Sequence, residues 1–257
     1  MRAFKAIFAI ALLALPLSSA RADDDENVIF ETKTAYVEID VRIQKSLAAW
    51  PALYQRLVAD GKKFGAESKS ETLAQWREDK SLFRGLAYNF SQVYRLRTAA
   101  GKYVSVIIDQ SMFTGGAHPN HGSTTLLWDT EKNAEADFEK LFKDTADNSP
   151  DMKTLSELVL DALEAEKKAR EVPFERDDMW FKDWKPEFSQ FGSPSLAPST
   201  EAGKSSGVTF HFSPYAVGAY AEGDYTAFVP ASKLMPLLTP EARELFGGKR
   251  PESDRDE

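Results

Sequence analysis

Val37, Ile39 and Val41 alternate with Glu38, Asp40 and Arg42, the period-two pattern of a strand with one buried face. Pro51 then opens a helical pattern through Leu53, Leu57 and Val58, which Gly61 is expected to close, and a second helix is expected from Glu71 through Trp76. The clearest strand runs from Leu86 to Leu96. It places Leu86, Tyr88, Phe90, Tyr94 and Leu96 on one face and Asn89, Ser91, Arg95 and Arg97 on the other. Ala99-Ala100-Gly101-Lys102 turns this strand into the apolar run Tyr103 to Ile108, which predicts an antiparallel hairpin. Ser149-Pro150 has the form of an N-cap with proline at the first helical position, followed by an apolar face of Leu155, Leu158, Val159 and Leu163.

Beyond that helix, Val172 to Trp184 reads as an acidic and aromatic connection, and a strand region spans Glu187 to Leu196. A polar loop, Ser199 to Gly207, leads to a strand at Val208 to Phe212; another runs from Tyr225 to Val229 and ends at Pro230. Two short helices follow, Ala231 to Leu238 and Pro240 to Phe246, the second capped by Thr239. Residues Asp23 to Asn27 read as a frayed acidic segment, and the polar stretch from Gly248 as disordered. There is no internal repeat, no heptad run and no βαβ rhythm. The expected class is α+β, with antiparallel or mixed sheets packed with a few helices. It divides into two intimately associated subdomains, 28–110 and 111–246, with a disordered tail at 247–257.

At the N-terminus, Arg2 and Lys5 precede the apolar run Ala6 to Leu15, Pro16 breaks it, and Ala20-Arg21-Ala22 supplies a small-x-small cleavage site. Residues 1–22 are therefore expected to be a secretory signal peptide, and the run is short for a membrane span of about 20 residues. Its removal would take three basic residues and no acidic ones, leaving 29 Lys and Arg against 40 Asp and Glu, a net charge of −11. That balance argues against nucleic acid and anionic lipid and permits electrostatic attraction to a basic partner, the alternative being that acidity simply keeps an exported protein soluble. With no cysteine among 257 residues, disulfides, thiolate catalysis and zinc-thiolate sites are excluded. A core has to come from ordinary packing, which 42% hydrophobic residues can supply.

Two of the three histidines lie in Phe113-Thr114-Gly115-Gly116-Ala117-His118-Pro119-Asn120-His121-Gly122, between the apolar run ending at Ile108 and Leu126-Leu127-Trp128. The paired glycines mark a tight connection between two strands. His118 and His121 are spaced H-x-x-H, but Pro119 and Gly122 oppose a helix, so the spacing does not put both imidazoles on one face for a metal. No metal and no cofactor are expected, and His118 is expected to hydrogen-bond backbone. His211, between Phe210 and Phe212 on a strand, is expected on the wetter face. No G-x-S-x-G, S-x-x-K set, H-E-x-x-H or P-loop occurs, and no catalytic residue is assigned.

The run Phe113 to His118, together with Val208-Thr209-Phe210-His211-Phe212-Ser213-Pro214-Tyr215-Ala216-Val217-Gly218-Ala219-Tyr220-Ala221-Glu222-Gly223 and Phe228-Val229-Pro230, resembles the bacterial envelope domain of unknown function numbered 3298. The region before it is more loosely similar to the domain numbered 4163 that commonly precedes it. The resemblance implies an exported α+β module to which no activity is assigned, related to modules in lysozyme-sensing anti-sigma factors and beside the catalytic domain of some peptidoglycan deacetylases. Gly115, Gly116, Ala117, His118, Asn120 and His121 form its signature loop.

Tyr215 and Tyr220, which flank a turn of small residues, and Trp180 and Trp184, which sit among Glu175, Asp177, Asp178 and Asp183, are the candidate binding residues. The competing reading of the two tryptophans is that they cap the core. The leading function is a non-catalytic periplasmic or secreted binding module, its partner an envelope protein such as a lysozyme-like muramidase, or a peptidoglycan fragment. Two alternatives stand beside it: a wall-directed hydrolase using the His118/His121 loop, and an envelope stability or assembly factor. Once exported, the mature chain should begin at Asp23. N-terminal sequencing checks this, and an intact Met1 on exported protein would overturn it.

Overall fold

The computed structural model describes residues 25–254, so the expected signal peptide at 1–22 lies outside the described residues. Among the described residues, nine strands form two sheets. In the first, β1 (Glu26–Lys33), β2 (Val37–Gln44), β3 (Tyr88–Ala100), β4 (Tyr103–Phe113), β5 (Asn120–Asp129) and β6 (Ala134–Ala136) lie side by side in chain order. The second holds β7 (Ser193–Leu196), β8 (Gly207–Phe212) and β9 (Tyr225–Pro230). Neighbouring strands are antiparallel throughout, except that β2 and β3 are parallel. The α+β expectation holds. One βαβ unit nevertheless exists where the sequence shows no βαβ rhythm, because a parallel pair needs a crossover. Helix α1 (Pro51–Glu78) supplies it.

Helix α1 runs unbroken for 28 residues, where two helices separated at Gly61 are expected from the sequence. Its buried stripe, Leu53, Leu57, Gly61, Gly65, Ser68 and Thr72, keeps helical spacing but changes from large side chains to small ones. The reason is close approach to the sheet. A Cβ on Gly61 would sit 3.0 Å from Val41 Cγ1 and 3.2 Å from both Ile29 Cδ1 and Tyr94 Cε2. Gly61 is a packing residue, and the buried stripe continues past it in small side chains.

The six-stranded sheet has two different faces, set by strand alternation. Val37, Ile39, Val41, Ile43, Tyr94, Val104, Val106, Leu126 and Trp128 pack under α1 as one core. The opposite face carries Ser105 and Leu127 at one end and Arg95, Ile107, Asp109 and Ser123 toward the other. The second sheet covers the first of these ends: the Leu196 N–H donates to Ser105 Oγ, and Thr125 Oγ1 donates to the Pro194 carbonyl. Helix α2 (Pro150–Ala169) backs that sheet. Met152, Leu155, Val159, Leu160 and Leu163 join Phe210, Phe212, Val229 and Leu234 in the larger core. Ser149 caps α2 as expected, its hydroxyl accepting from the Met152 N–H at 3.2 Å.

Several boundaries move. β4 spans the expected subdomain boundary at 110/111, and the first sheet continues to Ala136. The segment read as frayed contributes Glu26 and Asn27 to β1, an edge strand with a register shift between Val28 and Phe30 that hides its alternation. Leu86 lies outside β3 and is exposed, and β3 begins at Tyr88. The strand region from Glu187 narrows to β7, preceded by a single 3-10 turn at Phe188–Gln190. The terminal helices α3 (Ala231–Leu234) and α4 (Pro240–Arg243) are shorter than expected, with Thr239 capping the second as predicted. The stretch read as a disordered tail is folded through Asp254, whose side chain is buried.

Candidate functional site

The two sheets diverge beyond Ser105, and the gap between them is a cavity of about 630 Å3. Its walls come from β3 and β4 (Arg95, Arg97, Ile107 and Asp109), from β8 and β9 (Thr209, His211 and Thr226), and from a third side formed by residues 250–254. A register shift between Leu96 and Thr98 makes Arg97 the extra residue of a bulge in β3, and such bulges re-aim side chains. Arg95 pairs with Asp109 and, at 3.2 Å, with Glu26, while Ser123 Oγ donates to Asp109 Oδ1 at 2.6 Å. Arg97 pairs with Asp254, which also accepts from Arg250 Nε at 2.5 Å. Thr209 is fully buried, and its hydroxyl oxygen has no hydrogen-bond partner among the described residues.

His211 faces this cavity. It is half-buried rather than on a wet face, because the side of β8 opposite Phe210 and Phe212 is turned toward the first sheet. Its Nε2 lies 2.7 Å from Ser195 Oγ. Burial and the nearby Arg97 guanidinium lower its pKa to about 4, with Arg250 adding to the effect and Asp109 and Asp254 opposing it.

The signature loop and the C-terminal signature run meet at one rim of the cavity, although 101 residues separate Pro119 from Tyr220. Tyr220 OH donates to the Pro119 carbonyl, and the His118 ring stacks on the Tyr220 ring at 3.7 Å. His118 Nδ1 is 3.0 Å from the Pro119 carbonyl, as the sequence reading expects of a backbone-bonded turn histidine. His121 already belongs to β5; its ring meets Tyr220 edge-on at 5.6 Å and its Nδ1 lies 3.2 Å from Asp224 Oδ2. Gly115 and Gly116 hold φ of +90° and +115°, conformations open to glycine and strained for other residues. Ala117 and Asn120 are exposed beside them. Tyr215, 5.7 Å from Tyr220, is 55% exposed and itself has φ of +70°.

Trp180 and Trp184 stand apart from this rim. Both pack on the larger core, Trp184 Nε1 donates to Ser156 Oγ at 2.9 Å, and the Trp184 ring lies 6.0 Å from Phe191. These contacts fit the core-capping reading of the two tryptophans, both of which are half-buried.

Sequence reasoning missed Lys167, Glu222 and Asp254. Glu222 accepts from Lys167 Nζ at 2.8 Å, from Tyr225 OH at 2.7 Å and from the Ala219 N–H at 2.9 Å. Burial works to raise its pKa, but these three donors outweigh it and hold the pKa at about 2. The cluster fixes the Ser213–Gly223 connection, and with it Tyr220, onto α2. The one sequence signal was a lysine on the apolar side of the α2 pattern.

Replacing Gly115 or Gly116 with valine should lower stability by about 1–3 kcal/mol in thermal melts, through backbone strain alone, since nothing lies within 4 Å of a Cβ at either position. His118→Ala, on an exposed ring, should cost less. For His211 the folded pKa lies below the unfolded value of about 6.5. Its neutral state therefore adds stability that is complete above that value and is lost as pH falls through about 4. Melting temperature followed from pH 7 to pH 4 should fall more steeply in the parent chain than in His211→Gln, and equal slopes would show that His211 carries none of this dependence.

Comparison with known proteins identifies the fold. Residues 139–232 match the family model described as "Protein of unknown function (DUF3298)", a span that includes the Val208–Gly223 run but not the 113–118 loop. No curated protein matches the chain. Among solved structures, a DUF3298 family protein from Pseudomonas aeruginosa superposes with a TM-score of 0.54 at 15% identity, covering 87% of this chain and 94% of its own. A DUF3298 family member from Bacteroides fragilis gives 0.53 at 15% identity, covering 86% and 96%. The DUF3298 resemblance is thus shown over residues 139–232, in a chain that shares its fold along most of its length with two solved members of that family.

Proposed function

We propose that this chain is an exported, non-catalytic binding module of the bacterial cell envelope, and that the cleft between its sheets receives a polar ligand rich in hydroxyls and carboxylates, as peptidoglycan fragments are. The observation that carries this reading is the cleft itself: about 630 Å3 walled by Arg95, Arg97, Arg250, Ser123 and Thr226, a size and donor set suited to a small polar molecule. Export is supported by the charged, apolar and small-residue order of residues 1–22. Among the described residues no helix is long and apolar enough to cross a membrane.

Binding is favoured over hydrolysis by where the nucleophile candidates sit. Ser195, the hydroxyl beside His211, is fully buried, so a substrate has no approach to it. His118 and His121 both pack on the Tyr220 ring, but the Nδ1 of His118 faces the Pro119 carbonyl and the Nδ1 of His121 faces Asp224, so these two nitrogens share no polar partner.

A second reading, a lysozyme-like muramidase as partner, is favoured by the net charge of −11 expected after removal of residues 1–22, which would steer a basic protein toward the chain. Calorimetry with a purified disaccharide-tetrapeptide, and in parallel with lysozyme at low and moderate salt, separates the two. The muropeptide should bind, and Arg95→Ala should weaken it about tenfold. Lysozyme heats that an unrelated acidic protein reproduces would reduce the second reading to charge steering. If neither ligand binds, the binding-module reading fails.

A further inference from the structure

We propose that the closed end of the cleft, where Thr209 and His211 share one face of β8, binds an uncharged hydrogen-bonding group of the ligand, a sugar hydroxyl or acetamido group, so that a peptidoglycan fragment enters saccharide first. The proposal rests on the reading of the cleft as a ligand site, and it adds the direction in which the ligand lies there.

Strand alternation turns Thr209 and His211 away from Phe210 and Phe212 and toward the first sheet, and both border the cleft. The register sets Thr209 opposite Ser195 of β7 and Phe228 of β9. Ser195 is flanked by Pro194 and Leu196, the two residues that bond to Thr125 and Ser105 of the first sheet. Thr209 therefore stands where the sheets close on each other. His211, opposite Ser193 and Thr226, stands further out.

The Thr209 hydroxyl, buried and unpaired among the described residues, costs the folded chain stability that a valine of the same shape would not. A ligand group that reaches the end of the cleft supplies the missing partner. Ser195 is buried as deeply, but it does not border the cleft and its hydroxyl is taken up by His211 Nε2 at 2.7 Å. That contact leaves the other ring nitrogen of His211, Nδ1, for the ligand. Burial is the main cause that holds the His211 pKa at about 4, so the ring is neutral at neutral pH. A hydroxyl and a neutral imidazole match an uncharged donor and acceptor, and neither offers a carboxylate the charge that would offset its lost hydration. Of the two parts of a peptidoglycan fragment, the saccharide is the one rich in uncharged hydroxyls and amides, and the carboxylates of the peptide are left to Arg95, whose side chain is 46% exposed.

The test uses the full mature chain in calorimetry at pH 7, with diacetylchitobiose as an uncharged saccharide probe beside the disaccharide-tetrapeptide and the free tetrapeptide. Thr209→Val should weaken the saccharide and the muropeptide by about tenfold, and Thr209→Ser, which keeps the hydroxyl, should restore most of the affinity. Without ligand, Thr209→Val should melt no lower than the parent, since it removes an unpaired group and not a bond. A lower melting temperature or a failure to fold would show that the hydroxyl has a structural partner and overturn the proposal. So would a saccharide that binds parent and Thr209→Val equally, no saccharide binding to the parent, or a free tetrapeptide that loses affinity in Thr209→Val. Muropeptide binding that Thr209→Val leaves unchanged would remove the saccharide-first placement and keep the binding-module reading. If the parent binds neither saccharide nor muropeptide, that reading falls as well.

Discussion

The structure depends on a sheet that must satisfy two unlike neighbours at once. In β3 and β4 every second residue faces α1, and the residues between face the second sheet, so neither strand can be apolar throughout or alternate simply with water. On the helix side the demand is for close packing, met by Tyr94, Val104 and Val106 against a helix whose glycines let it lie close. On the other side the second sheet covers only the end at Ser105 and Leu127. What remains uncovered has to be polar, and Arg95, Asp109 and Ser123 make it so. The cleft is therefore the stretch of a two-faced sheet left without a partner layer, and its chemistry follows from strand alternation.

That origin explains what could be read in the sequence. Alternation in β2, the hairpin of β3 and β4, the Ser149 cap of α2 and the Thr239 cap of α4 are local, and local rules found them. The length of α1 could not be found by the same means, since its stripe continues in Gly61, Gly65, Ser68 and Thr72, residues that register as breaks on any hydrophobicity pattern. β1 was hidden by its edge position and its bulge, where burial no longer alternates. Asp254 was hidden for a different reason. Its burial is decided by Arg97, 157 residues away, and a polar stretch at 248–254 carries no local sign of that partner.

The same division holds at the rim. The Gly115-Gly116 turn was legible because positive φ has a residue signature, and the structure places both glycines there. The convergence of His118 and His121 on Tyr220 was not, although each lay in a segment already singled out, since nothing in either run states that they meet. Trp180 and Trp184 carried two readings, an aromatic anchor and a cap on the core, which composition does not separate. An aromatic cluster in an acidic stretch has the composition of an interface, yet the rings here cap a core through Phe191 and Ser156.

Lys167 and Glu222 connect these observations. A lysine that is 2% exposed and its carboxylate partner pay a desolvation cost that an apolar pair would avoid, so net stability is a weak reason to keep them. Position is a better one. Glu222 takes donors from α2, from Tyr225 at the start of β9 and from the Ala219 backbone, and three directional bonds fix the loop between β8 and β9 in a way apolar packing would not. That loop carries Tyr220 to the signature turn, and Asp224 to both the cleft wall and His121. A displacement at Glu222 would therefore reach the rim and the cleft together, which makes this buried pair the link between the helix that backs the second sheet and the surface where the two sheets part.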